Sequence, residues 1–359
     1  VSSVVVDRPS RPRAAHRLKA AVCSLALLSA GAWIWWAGRS DTARASTNEI
    51  GVYSGRHYNT DKALYQEFTR RTGIKVKLLE AKDDVLIERL RNEGADSPAD
   101  VLVLVDAARL ARAANMGLFQ PTRSASLLRD VPPNLRDSRN RWFGLTRRVR
   151  VVIVNPNRVR PSSIRSYADL ANAALKGQLC LRDSKSVYNQ SLVAEQLILR
   201  GEASTRAWIK GIIANVRQPL FTSDTPLARA VAQGTCGVGL VNTYYVARML
   251  AGDSGSADKA FATKLSVVFP KPAHVNITGA GVTKASKNRD AATRLIEFLA
   301  SPSGGRGYAE ANNEYPLQGY GDNLVLKRFG GFSATNISAE QMGGRSRQAL
   351  SLMQANGWN

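Results

Sequence analysis

Ten tyrosines occur in the 359 residues, and four of them fall where a folded chain can bring their phenols together. Tyr244 and Tyr245 follow the apolar run Val238–Val241, which reads as a short buried strand with Asn242 placed to cap the next helix. Both phenols then sit in a first helical turn at a strand-to-helix junction, the edge where open α/β sheets hold their ligands. Arg248 lies four residues after Tyr244, on the same helix face. Tyr58 follows the first expected strand, and Tyr188 opens a helix after another strand and a polar loop. An adjacent tyrosine pair also occurs on plain surfaces, so its weight rests on the other two. A phenol ionises near pH about 10, and a bound, highly charged cation lowers that value. Four tyrosinates on Fe3+ leave one net negative charge, which Arg148 and Arg248 are placed to offset. Anionic oxygen ligation favours ferric over ferrous iron, because attraction grows with ion charge.

Other chemistry is poorly supplied. Beyond residue 45 the chain holds only two histidines, His57 and His274, too few for an ordinary zinc or copper site. No P-loop, nucleophile elbow or Cys/His/Asn set is present, so no enzyme is expected. The net charge is +22. That charge suits an anionic surface, an anionic ligand or nucleic acid, yet the basic residues are scattered and no zinc-finger, RRM or basic-zipper pattern appears. No nucleic-acid partner is therefore expected.

The elements that must position the tyrosines read as α/β. Residues 1–45 form a leader: basic residues from Arg8 to Lys19, an apolar run from Ala20 to Ala37, and Ala43-Arg44-Ala45 as a cleavage signal. Export to the periplasm follows, with an uncleaved membrane anchor as the alternative. Beyond it, strands at Glu49–Tyr53, Ile74–Leu79 and Val101–Val105 alternate with helices, the first capped by Asn59, Thr60 or Asp61 and the third by Asp106. This is a doubly wound unit. Strands at 142–155, 178–181, 236–241, 265–269 and 276–282 and helices near 203–214, 225–233, 288–300 and 336–355 complete the pattern. Tyr53, Tyr65 and Tyr167 fall inside elements and read as core.

Cys180 ends one expected strand and Cys236 begins another. In an exported chain such a pair is a disulfide candidate, closing a loop of about 57 residues worth roughly 4 kcal/mol. Two buried free thiols are the alternative.

Several separated stretches now resemble one family in the same order. They are Tyr53-Ser-Gly-Arg-His-Tyr-Asn-Thr-Asp61, Ala99-Asp-Val-Leu-Val-Leu-Val-Asp-Ala-Ala-Arg-Leu110, Leu175-Lys-Gly-Gln-Leu-Cys-Leu-Arg182, Val187-Tyr-Asn-Gln-Ser-Leu192 and Asn242-Thr-Tyr-Tyr245. The chain is similar over residues 48–355 to the periplasmic ferric-iron-binding proteins of ABC transporters, the FutA-type cyanobacterial branch of the type II periplasmic binding proteins. The resemblance implies two lobes, each a doubly wound sheet, joined by crossing strands near 148–155 and 265–272 and closing on one Fe3+. It implies a first lobe of residues 46–148 and 272–320 and a second of 149–271 and 321–359. Tyr58, Tyr188, Tyr244 and Tyr245 match the iron ligands, Arg148 and Arg248 match arginines behind them, and His57 matches a histidine that ligates in part of the family. Some relatives fill open positions with carbonate or phosphate. The implied partner is an ABC transporter permease, with the receptor itself monomeric. A binding protein for an organic or anionic solute held by arginines is the runner-up, and a basic nucleic-acid-binding protein the third reading.

Overall fold

The apolar run Val101–Val105 is buried along its whole length, as a strand covered on both faces must be. It is one strand of a computed structural model that describes residues 48–56 and 61–359. The leader at 1–45, its cleavage signal, and both His57 and Tyr58 lie outside the described residues, as do Asn59 and Thr60.

The chain begins with β1 (Glu49–Ser54), α1 (Lys62–Thr72), β2 (Lys75–Glu80), α2 (Asp83–Glu93), β3 (Val101–Val105), α3 (Ala107–Asn115) and α4 (Ala125–Asp130). The long β4 (Phe143–Val154) leads to β5 (Leu179–Cys180), α5 (Val187–Asn215), α6 (Asp224–Ala232), β6 (Val238–Asn242), α7 (Thr243–Ala251) and α8 (Ser256–Ala262). Then come β7 (Ser266–Val268), β8 (His274–Val282), α9 (Arg289–Ala300), α10 (Pro302–Glu310), α11 (Leu324–Phe329) and α12 (Ala339–Ala355). The strands follow the order β2-β1-β3-β8-β4-β6-β5, with β7 paired on β4. β1 runs parallel to β2 and β3, and β5 parallel to β6, while β8 is antiparallel to both β3 and β4.

Two strands carry the chain between separate apolar cores. Phe143 and Leu145 of β4 join the core built on β1, β3, α2 and α9. Further along β4, Val152 and Val154 face a second core with Leu192, Trp208 and Trp358, whereas Val149, Val151 and Ile153 face a third with Val246 and Met249. The alternation follows from strand geometry, since successive side chains point to opposite faces. β8 makes the return passage: Val275 packs on the third core and Ile277, Ala280 and Val282 on the first. That passage lies a few residues beyond the expected 265–272, because β7 pairs only with β4 and ends at Val268. The glycines of β8 have a packing cause. A Cβ on Gly279 would fall 2.6 Å from Leu110 Cδ1 and 2.9 Å from the Phe143 carbonyl oxygen, so α3 and β4 close directly over it.

Some local readings differ. α5 runs on through the region expected to divide it and absorbs a break at Gly201, whose φ of 75° suits glycine. α10 was not expected, because its Gly-Gly pair is poor helix material; Ser301, which accepts from Gly304 N, and Pro302 in the first turn start it nonetheless. Asn242 occupies the N-cap of α7 without a side-chain cap bond. Asp61 occupies that of α1 likewise, its carboxylate being bound to Arg56. Asp106 does cap α3, accepting from Ala108 N. Tyr53, Tyr65 and Tyr167 are buried in the cores.

Candidate functional site

Three phenols issue from first turns of two helices. Tyr188 is the second residue of α5, and Tyr244 and Tyr245 are the second and third of α7. α7 follows β6 with no loop between, so the tyrosine pair is fixed to the end of a fully buried strand. The Tyr188 and Tyr244 hydroxyls lie 3.2 Å apart. The Tyr244 and Tyr245 rings stack with centroids 4.2 Å apart. Tyr244 is buried and the other two are half-buried. Among the described residues no group of three or more His, Cys, Asp or Glu is gathered to hold a metal ion. The Tyr188 and Tyr244 hydroxyls, 3.2 Å apart, and the stacked Tyr245 make this a cluster of phenols.

Arginines surround Tyr188. Arg148 and Arg150 alternate along β4 and therefore share a face. Their guanidinium carbons lie 5.5 and 5.8 Å from the centre of the Tyr188 ring, and that of Arg182 lies 5.4 Å away. These separations are within cation–π reach. Buried carboxylates stand behind them. Asp224, at the start of α6, takes Arg150 Nη1 at 2.7 Å and Arg182 Nη1 at 3.5 Å, and accepts from Asn242 N at 3.0 Å. One carboxylate thus links two arginines to the entry of α7. Glu314 lies 3.7 Å from Arg148 Nη1, while Arg148 also donates to Thr278 Oγ1 at 3.1 Å and to the Ile277 carbonyl. Burial works to lower the pKa of Arg148, but Glu314 and then Tyr188, Asp106 and Tyr244 hold it above its ordinary value. Arg182 follows the same pattern: burial opposes its charge, and Asp224 followed by Tyr245, Tyr188 and Tyr244 outweighs it. The arginines and phenols therefore form one electrostatic unit.

The remaining expected residues divide. Arg248 lies half-buried in the last turn of α7, whereas the tyrosine pair lies in the first. His274 is buried with its Nδ1 2.9 Å from Glu195 Oε2, outside the tyrosine group. Arg56, just before residue 57, reaches Asp61 through two 2.8 Å bonds and Glu314 through one of 3.0 Å. Residues 56 and 61 are thereby tied to each other and to the carboxylate that faces Arg148. Cys180 and Cys236, both fully buried, form a disulfide with Cα atoms 5.9 Å apart. Sequence reasoning passed over Arg182, Asp224 and Glu314. Arg182 was open to discovery, since it ends the Leu179–Leu181 run at the same strand edge as the tyrosines. Nothing local marks Asp224 or Glu314, whose arginine partners are far away in sequence.

One buried carboxyl, Asp83, is held well above the usual carboxylate range. Burial, opposed by Arg109 and the Val105 amide, pushes Asp83 up to about 6 from 3.8. The native state thus binds this proton more tightly than the unfolded chain. The stability contributed by the group is full below the unfolded value and is lost as pH rises through about 6. Asp83→Asn removes the titration but keeps an acceptor for Val105 N, now 2.7 Å from the Asp83 oxygen. Urea unfolding at pH 7.5 and at pH 4 should show the variant losing up to about 3 kcal/mol relative to wild type on acidification. Parallel pH profiles would contradict this assignment.

Comparison with known proteins adds independent findings. The model of the bacterial extracellular solute-binding protein family matches residues 54–306. Iron uptake protein A1 of Synechocystis sp. is 43% identical over 315 residues, covering 86% of this chain and 87% of the relative. Iron uptake protein A2 of the same organism is 40% identical, covering 88% and 92%. Among solved structures, the Trichodesmium IdiA (FutA) protein in complex with iron and citrate superposes with a TM-score of 0.84 at 42% identity, covering 87% of this chain and all of that one.

Proposed function

The chain belongs to the bacterial extracellular solute-binding proteins, and from that premise we propose that it captures ferric iron and delivers it to the permease of an ABC transporter. The fold is the two-lobed type II periplasmic binding protein fold, with β4 and β8 as the crossing strands. The observation that carries the reading is the convergence of Tyr188, Tyr244 and Tyr245 in one oxygen-rich group. Relatives named for iron uptake and for Fe(3+) binding support it. In this reading Tyr58 supplies a fourth oxygen from the first lobe, comprising residues 46–148 and 272–320, and His57 stands beside it. The other three ligands belong to the second lobe, residues 149–271 and 321–359. Arg148 and Arg248, joined by Arg150 and Arg182, balance the charge of the tyrosinate complex. The protein acts as a monomeric receptor in the periplasm once its leader is removed, and performs no catalysis. An arginine-held organic or anionic solute is less well served, because Arg148, Arg150 and Arg182 already face buried carboxylates.

Iron capture must release protons, since a phenol ligates as its anion. Affinity therefore falls as pH falls. Calorimetric titration with ferric nitrilotriacetate in two buffers of different ionisation enthalpy should count about three or four protons released per ion bound, one per phenol. Failure to take iron from the chelate, or uptake without proton release, would overturn the reading.

A further inference from the structure

We propose that Asp106 is a positioning residue that ties the first turn of α5, and with it Tyr188, to the opposite lobe through the hydroxyl of Ser191. The proposal rests on the iron-binding reading for its consequence, though not for its geometry. Asp106 is fully buried and has a φ of 99°, a backbone conformation that side-chain-bearing residues rarely adopt. Such strain persists only where the surroundings hold it in place. Here the carboxylate draws three elements together. Oδ1 accepts from Ala108 N at 2.9 Å, at the start of α3, and from Ser191 Oγ at 2.6 Å, in α5. Oδ2 accepts from Asn276 Nδ2 at 2.9 Å, on the crossing strand β8. The Asp106 amide donates to the Ile277 carbonyl at 2.9 Å, and Asn276 Oδ1 accepts from Ala107 N at 2.9 Å.

These elements belong to different cores. Ala107 and Leu110 of α3 lie in the first, Leu192 and Val193 of α5 in the second, and β8 passes between. Ser191 is three residues from Tyr188, on the same face of the helix. Between them, Asn189 is held from its own lobe: Arg150 Nη2 donates to Asn189 Oδ1 at 2.9 Å, and Asn189 Nδ2 donates to the Arg182 carbonyl at 3.2 Å. The first turn of α5 is thus gripped from its own lobe by Arg150 and from the other by Asp106. Loss of the second grip leaves the tyrosine group of the second lobe intact and loosens only its hold on the first lobe. Asp106 is also among the charges that sustain Arg148 beside Tyr188.

Ser191→Ala removes one hydroxyl and nothing else. Small-angle scattering of the iron-free variant should show a larger radius of gyration than wild type. Iron loaded on the variant should be lost to excess chelator about tenfold faster or more, the range set by one bond to a buried charged group. The visible band should keep its wavelength, because the ligands are unchanged. Ser191→Cys, which keeps a side chain at this buried position and replaces the hydroxyl facing Asp106 Oδ1 with a weakly donating thiol, reads the same bond and should open the hinge likewise, including where the alanine variant fails to fold. Unchanged scattering in the folded variants would overturn the proposal. Inability of the wild type to take iron would instead overturn the functional reading, while the scattering comparison still decides the hinge.

Discussion

Tyr244→Phe combined with Tyr245→Phe is expected to lower ferric affinity by more than about a thousandfold and to abolish the visible colour of the loaded protein. Changes behind a metal ligand typically cost 10–100-fold, and on the proposed assignment this pair removes two of the ligating oxygens themselves. The rings remain, so the 4.2 Å stack and the burial of Tyr244 are retained. The hydrogen bond between the Tyr244 and Tyr188 hydroxyls, 3.2 Å long, goes with the substitution, at a cost of about 1 kcal/mol. Folding should therefore be nearly unaffected while binding collapses. Competition against a ferric chelator gives the affinity, and urea unfolding gives the control. A double variant that holds iron as the wild type does would remove these residues from the ligand set.

Breaking the Cys180–Cys236 bond is expected to cost about 4 kcal/mol of stability, the chain-entropy value for a closed loop of 56 residues' separation. In a folded body of this size that corresponds to a fall in Tm of about 6 °C. The bond joins β5 to the segment entering β6, and these two strands lead to Tyr188 and to the tyrosine pair. Cys180→Ser with Cys236→Ser, compared with wild type by urea unfolding with and without reductant, tests it. Reductant should destabilise the wild type and leave the double variant unmoved. A difference below about 1 kcal/mol would mean that the unfolded chain is already compact enough to make the link redundant.

Much of the architecture was legible because burial writes itself into period and composition. The unbroken apolar run of β3 and the strand character of 142–155 could be read without any fold in view. The tyrosine group was legible for another reason: Tyr188 and the pair at 244 and 245 follow strands at helix starts, and that rule needs no tertiary information. What was hidden depends on distance along the chain. Asp224 is 74 residues from Arg150, and Glu314 is 258 from Arg56, so neither pairing leaves a local trace. Asp106 was legible as a cap, yet its bond to Ser191, 85 residues on, was not. α10 was missed because propensity spoke against it and Tyr308, buried in the first core, decided the matter.

The central claim is that phenolate oxygens hold ferric iron in this site. The most direct measurement is the absorption spectrum of the purified protein before and after one equivalent of Fe3+. A broad visible band, present in the loaded protein and lost on acidification, is the predicted result. Iron retained without such a band would place the ion on other donors and contradict the account.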